Sequence, residues 1–235
     1  MKFILAIVVI LFILLIIYCI CNKIRIKWKT FLKRGFKPVR GNFGIYCYCG
    51  KQGKGKTYSL VEYLQDNKER NLVFCNIKNI SGIEYTHYTG FTQLMKIKEY
   101  IDSPGFHTDK QIVIVYDEIF TELQKYSKLN KEVLDFLCQM RKRKIIFLTT
   151  AQEWAEIPLT FRRFCRYQID CCMIPFFGTG ILVKTFYDAE NMKWSNDEQE
   201  HIAPLVETTI THTRKKIADS YDTFLRISSV DLEKI

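Results

Sequence analysis

Gly50-Lys51-Gln52-Gly53-Lys54-Gly55-Lys56-Thr57 follows directly on the apolar run FGIYCYC at residues 43–49. It has the form G-x-x-x-x-G-K-[ST] between a strand-like and a helix-like segment, which is the phosphate-binding loop. Glycines let successive backbone N–H groups turn inward on phosphate oxygens, and the next helix presents its positive end to the same anion. Lys56 is expected to reach the β- and γ-phosphates of a nucleotide and Thr57 to place its hydroxyl on Mg²⁺, with residues 50–58, Tyr58 included, around the phosphates.

Such a loop requires a second motif, an apolar strand ending in an acid that helps to hold the metal. Ile112-Val113-Ile114-Val115-Tyr116-Asp117-Glu118 fits it. Asp117 is expected to fix Mg²⁺, and Glu118 to polarise an attacking water as general base. The carboxylate pair separates hydrolysis from binding alone. A third strand, residues 144–149, is followed by Thr150-Ala151-Gln152. Polar residues at the carboxyl end of a strand beside the phosphate-binding strand point into the ligand crevice, so Gln152 can sense the γ-phosphate or orient the water; a plain turn residue is the other reading.

Residues 41–187 alternate between strand-like and helix-like segments. Strands are expected at 43–49, 71–77, 111–116 and 144–149, with helices at 56–65, 91–101 and 131–141. Short β-branched runs separated by helices predict an α/β fold, a mostly parallel sheet flanked by helices. Residues 165–174 and 181–187 flank Pro175-Phe176-Phe177-Gly178-Thr179-Gly180 and read as a β-hairpin extension. Lys184 and the two glycines interrupt what would otherwise resemble a second apolar span. Residues 188–196 read as a polar loop. The remainder is weakly patterned, with some helix expected near 217–225.

Residues 3–21, FILAIVVILFILLIIYCIC, carry no charge. At about 1.5 Å per residue they span roughly the ~30 Å of a hydrocarbon core. Eight basic residues come after (Lys23, Arg25, Lys27, Lys29, Lys33, Arg34, Lys37, Arg40) against Lys2 before, and Trp28 suits an interfacial position. This predicts an N-terminal transmembrane helix with the rest of the chain cytoplasmic. Signal peptides have shorter apolar cores with the basic residues in front. The expected organisation is an anchor at 1–22, a basic linker at 23–41, an ATPase domain at 42–190 and a C-terminal extension at 191–235.

The formal net charge of +10 belongs largely to that N-terminal part. Residues 1–40 hold nine of the 35 Lys and Arg and no acid, leaving 26 basic against 25 acidic residues beyond them. Any nucleic-acid contact must therefore come from local patches rather than a generally basic surface. The nine cysteines include no C-x-x-C pair, so neither a zinc site nor a disulfide framework is indicated.

The loop GKQGKGKT, the strand IVIVYDE, and Arg141 eleven residues ahead of Gln152 together resemble the HerA–FtsK superfamily of DNA-pumping ATPases. The small size and the basic-aromatic stretch Phe161-Arg162-Arg163-Phe164-Cys165-Arg166-Tyr167 before a hairpin resemble the zonula occludens toxin-like assembly proteins of filamentous phages. Phage DNA-packaging ATPases are their relatives. The resemblance covers about residues 43–187. It implies a homo-oligomeric ring ATPase using ATP and Mg²⁺, in which an arginine of one subunit completes its neighbour's site. Arg141 matches that position; Arg143, Arg162, Arg163 and Arg166 remain alternatives. It further implies DNA as cargo, phage coat or export proteins as partners, and a place in the host inner membrane or a virion membrane. Filamentous-phage members carry their span after the ATPase domain, whereas the apolar run here precedes it. A membrane scaffold that binds nucleotide without moving DNA is the alternative function. A GTPase-like switch is disfavoured, since Asn67-Lys68-Glu69-Arg70 lacks the aspartate of N-K-x-D.

Overall fold

Residues 44–49 are buried on both sides, and the reason is the two-residue period of a strand. Ile45, Cys47 and Cys49 enter one apolar cluster, while Tyr46 and Tyr48 enter another on the opposite face. This strand, β2 (Gly44–Cys49), lies inside a nine-stranded sheet, with neighbours that fill the same two clusters. The computed structural model describes residues 2–26, 43–125, 131–140, 142–176, 179–195 and 200–222.

In chain order the elements are α1 (Lys2–Cys21), β1 (Ile24–Ile26), β2, α2 (Lys56–Asp66), β3 (Asn71–Cys75), β4 (Thr86–His87), α3 (Gly90–Asp102) and β5 (Gln111–Tyr116). Then come α4 (Phe120–Lys125), α5 (Lys131–Gln139), β6 (Ile146–Ala151), α6 (Leu159–Arg162), β7 (Cys165–Phe176) and β8 (Thr179–Asp188). A 3₁₀ turn (Ala189–Asn191), β9 (Lys193–Ser195), β10 (Glu200–Ile202), β11 (Leu205–His212) and α7 (Lys215–Ala218) complete the series. The main sheet runs β1-β11-β8-β7-β2-β6-β5-β3-β4, and β9 and β10 form a separate antiparallel ribbon. From β7 through β2, β6, β5 and β3 to β4 every pairing is parallel.

The helices sort by face. Phe91, Leu94 and Ile97 of α3 and Val133, Phe136 and Leu137 of α5 pack with Ile45, Ile114 and Phe147. Leu60, Val61 and Leu64 of α2 and Ile217 of α7 pack on the other side with Tyr46, Val115 and Leu148. The mostly parallel α/β sheet flanked by helices is thus the fold observed.

Several expectations change in detail. The loop expected at 188–196 holds a 3₁₀ turn and β9, and the helix expected near 217–225 is the short α7, with 223–225 outside the described residues. The third strand begins two residues later than the apolar run, at Ile146, because Lys144 sits at φ 55° and the Ile145 N–H closes a turn on the Met140 carbonyl. Thr150 and Ala151 therefore belong to the strand, and Thr150 is fully buried. The hairpin is present, but its first strand pairs in parallel with β2, so it is part of the central sheet rather than an addition to it. Within the weakly patterned remainder, β11 pairs with β8 over its length, and β1 pairs with β11 in turn. Thr209 and Thr211 occupy its buried positions, their hydroxyls donating to the carbonyls of Lys184 at 3.5 Å and Leu182 at 3.4 Å. Buried threonines satisfied this way leave no apolar alternation to read.

The expected transmembrane segment finds no support among the described residues, where no helix is long and apolar enough to cross a membrane. The side chains of residues 2–6 lie outside that set. What is observed is the helix α1, with the side chains of residues 7–21 exposed except for half-buried Cys19. Arg141, Trp28, Phe177, Gly178 and most of the basic linker lie outside the described residues.

Candidate active site

The parallel strands β2, β5 and β6 end side by side, and the residues just past their carboxyl ends converge. Beyond β2 the chain turns at Gly50 (φ 145°), whose N–H donates to the Gln152 carbonyl at 3.0 Å past β6. A Cβ on Gly50 would lie 2.8 Å from the Cys171 carbonyl oxygen of β7, so only glycine lets the loop pass that close. At the far end of the loop Gly55 (φ 86°) caps α2, and a Cβ there would meet Leu182 and Met173 of the hairpin at 2.8 Å. The hairpin thus braces one wall of the loop.

Lys51, Gln52 and Gly53 are exposed, and Lys54, Gly55, Lys56 and Thr57 are half-buried. The first N–H groups of an α-helix have no partner within it, so Lys56, Thr57 and Tyr58 present donors to whatever sits at the start of α2. The Tyr58 side chain turns the other way: it is buried, and its hydroxyl accepts from the Arg214 N–H at 2.7 Å. Tyr58 can therefore serve a phosphate through its backbone alone. The Lys56 ammonium is folded onto its own loop, donating to the carbonyls of Gly50 at 2.6 Å and Lys51 at 3.3 Å.

Asp117 comes directly after β5 and is buried. Thr57 donates its hydroxyl to Asp117 Oδ2 at 2.9 Å, and Thr150 donates to Oδ1 at 2.5 Å. Asn76, just past β3, grips the same residue from behind: the Asp117 N–H donates to Asn76 Oδ1 at 2.6 Å, and Asn76 Nδ2 donates to the Asp117 carbonyl at 3.0 Å. Glu118 is held at φ 57°, with its N–H donating to the Thr150 hydroxyl at 2.7 Å. An acid in this left-handed conformation is strained, which suits a side chain held for a task rather than for packing. Gln152 is exposed beside Gly50. The loop, Asp117, Glu118 and Gln152 are therefore brought to one edge of the sheet.

The described arginine alternatives are not. Arg143 precedes β6, where it pairs with Asp102 and Gln139. Arg162 and Arg163 immediately precede β7, and Arg166 at its start donates to the Phe43 carbonyl at 3.2 Å. All four stand toward the amino ends of the strands, away from the loop of their own chain.

Asn76 and Thr150 join the site without having been expected there. Nothing around Asn76 marks it in the sequence, because its role arises from β3 lying beside β5. Thr150 carried a faint signal, as a hydroxyl at the end of the strand flanking the phosphate loop. A further group tied to α2 was invisible: Glu62 and Lys184 are both buried and pair at 2.8 Å, while Arg214 bonds Asp66 at 2.7 Å. These contacts fasten the loop's helix to β8 and to the segment before α7.

The donor set fits Mg²⁺ with a nucleotide. A hydroxyl and a carboxylate oxygen 2.9 Å apart are hard oxygen ligands of the kind this ion takes, alongside substrate phosphates and water. Among the described residues no group of three or more His, Cys, Asp or Glu side chains could hold a metal ion.

The electrostatics give a pH prediction. Burial pushes the Asp117 carboxyl above its ordinary value of 3.8, against hydrogen bonds from Thr150 and Thr57. Burial, then the Asp117 charge, pushes Glu118 above 4.5. A raised carboxyl favours the protonated fold. The stability these two groups contribute is complete below the ordinary carboxylate range and is lost as pH rises through their raised values. In nucleotide-free protein, Asp117→Asn is expected to flatten the decline of urea midpoint across mildly acidic pH. An unchanged slope would remove Asp117 as its source.

No protein-family model and no curated protein matches the chain. Several solved structures do resemble it. The N-terminal domain of zonular occludens toxin from Neisseria meningitidis aligns with a TM-score of 0.52 at 17% identity, covering 77% of this chain and 100% of that one. The likeness to the Zot-like proteins read from the motifs thus holds at the level of fold. The DNA-packaging ATPase B204 of Sulfolobus turreted icosahedral virus aligns at a TM-score of 0.45 and 12% identity, over 69% of this chain and 98% of that one. The flagellar accessory protein FlaH of Methanocaldococcus jannaschii aligns at 0.43 and 16%, over 73% and 89%.

Proposed function

We propose that this chain is a membrane-anchored, Mg²⁺-dependent ATPase that works as a ring of identical subunits to move DNA in phage assembly, extrusion or packaging. The observation that carries hydrolysis is the Thr57–Asp117 contact with Glu118 set beside it, at the end of β5, which β6 separates from the strand leading into the phosphate loop. Choice of ATP, and of DNA as cargo, rests on the motif resemblance.

Lys56 would leave the Gly50 and Lys51 carbonyls and turn to the β- and γ-phosphates, while the loop N–H groups hold the phosphate oxygens. Mg²⁺ bound with the nucleotide supplies charge neutralisation between those phosphates. Glu118 accepts a proton from water as the water oxygen bonds to the γ-phosphorus and the bond to the leaving diphosphate oxygen breaks. Gln152 orients that water or senses the phosphate. The arginine contact comes from the adjacent subunit: Arg141 stands at the matching position, and the other four lie toward the opposite edge of their own sheet.

Membrane attachment is supported by the helix α1, since a long apolar surface left in water marks a site meant for another phase. The excess of basic residues after it favours the cytoplasmic side of the host membrane, with a virion membrane as the alternative.

Detergent-solubilised full-length chain is expected to form rings with an ATP analogue in electron microscopy, and to hydrolyse ATP faster with DNA, the stimulation fading as salt rises. Hydrolysis indifferent to DNA at every salt concentration would favour the scaffold. A monomer under all nucleotide conditions would overturn the ring.

A further inference from the structure

We propose that the β9–β10 ribbon and the start of β11 form a lipid-docking surface, seating Trp194 and Leu205 at the membrane interface beside the end of α1. This rests on the membrane reading of α1 and extends it to the folded body of the chain.

The two parts are contiguous. The last turn of α1 closes with Asn22 and Lys23 donating their N–H groups to the carbonyls of Tyr18 and Ile20. The Lys23 carbonyl then accepts from the Thr208 N–H at 3.1 Å, and the Lys23 ammonium donates to the Leu205 carbonyl at 3.4 Å. The apolar helix thus ends against the first residues of β11. From Leu205 the surface continues through Pro204, whose carbonyl accepts from the Asp188 N–H at 2.9 Å, into a hollow lined by Lys193, Trp194, Ile202 and Pro204. Trp194 is 58% exposed and Leu205 39%, so two large side chains stand in water next to a helix that is itself exposed and apolar. The Trp194 ring is held edge-on to His201, its cross-strand partner, at 5.2 Å between centroids.

Lipid is the occupant these features fit. Whatever covers α1 reaches its last turn, and Lys23, two residues past Cys21, bonds the Leu205 carbonyl. Trp has an apolar ring and one N–H, the chemistry enriched where hydrocarbon meets headgroups. The Lys23 and Lys193 ammonium groups suit the phosphates found at that depth. The topology also leaves room for the chemistry. Leu205 pairs with Tyr187 and Tyr187 with Gln168, whereas the phosphate loop begins beyond the Cys49–Asp170 pair, farther toward the carboxyl ends. A body docked by this surface keeps its nucleotide edge turned from the bilayer.

The test uses full-length chain in phosphatidylcholine–phosphatidylglycerol vesicles whose acyl chains carry bromine either near the headgroup or near the bilayer centre. In a W28F/W154F variant Trp194 is the sole tryptophan. A second variant, W28F/W154F/W194F with Leu14→Trp, reports α1. The expected result is loss of Trp194 emission with shallow bromine exceeding that with deep bromine, and loss of the Leu14→Trp emission with deep bromine. If the α1 reporter is quenched and Trp194 is not, the docking surface is overturned and the anchor stands. A Trp194 that is blue-shifted but unquenched overturns it in favour of a second copy of the chain. If neither is quenched, both readings fall.

Discussion

Lys56→Ala is expected to abolish nucleotide binding and to lower turnover by about 10²-fold or more, the scale on which one preorganised phosphate-stabilising donor contributes. Glu118→Gln is expected to behave differently. It keeps the loop, Thr57 and Asp117 intact, so binding persists while turnover falls by roughly 10²–10⁴-fold, the range for loss of a general base. In the structure Lys56 bonds to carbonyls of its own loop, and Glu118 donates its backbone N–H to Thr150. Neither substitution removes core packing, so neither variant should unfold. Measuring ATP-analogue binding and phosphate release side by side checks both. A Glu118→Gln enzyme turning over at the parent rate would remove Glu118 from its role.

The second large effect is on stability. Lys184→Met leaves Glu62 charged and buried, with Arg214 3.7 Å from its other oxygen as the remaining cation. Breaking a buried pair by removing one member costs about 3–5 kcal/mol, a large share of the ~5–15 kcal/mol that holds a typical fold. The double variant Glu62→Leu/Lys184→Met removes both charges and should recover most of the loss. Urea midpoints of the single and double variants decide: an equal loss in both would mean that packing, not an orphaned charge, sets the cost. Because α2 carries the phosphate loop at its start, the single variant should also weaken nucleotide binding more than the double.

Much of this site is legible because its chemistry is local. Gly50, Gly55, Lys56 and Thr57 lie within eight consecutive residues, and their conformations follow from residue type. Asp117 and Glu118 could be found because an apolar strand must precede them. Asn76 could not, since an asparagine after a strand is common and only the pairing of β3 with β5 brings it to the Asp117 backbone. Glu62 and Lys184 are 122 positions apart and meet only because β8 packs over α2. Read along the chain, Lys184 is an interruption in an apolar run; in the fold it is that run's partner to the helix.

The phosphate loop, the alternating α/β pattern and the apolar N-terminal run are readable from the chain alone, because each is written in the period and type of neighbouring residues. Only the fold shows that the hairpin joins the central sheet, that the threonine-rich strand β11 extends it, and that Lys23, just past α1, meets Leu205. Those outcomes depend on which strand finds which edge. Hydrogen bonding between distant strands sets that, and residues such as Thr209 and Thr211 reveal their burial only once a partner supplies the carbonyls.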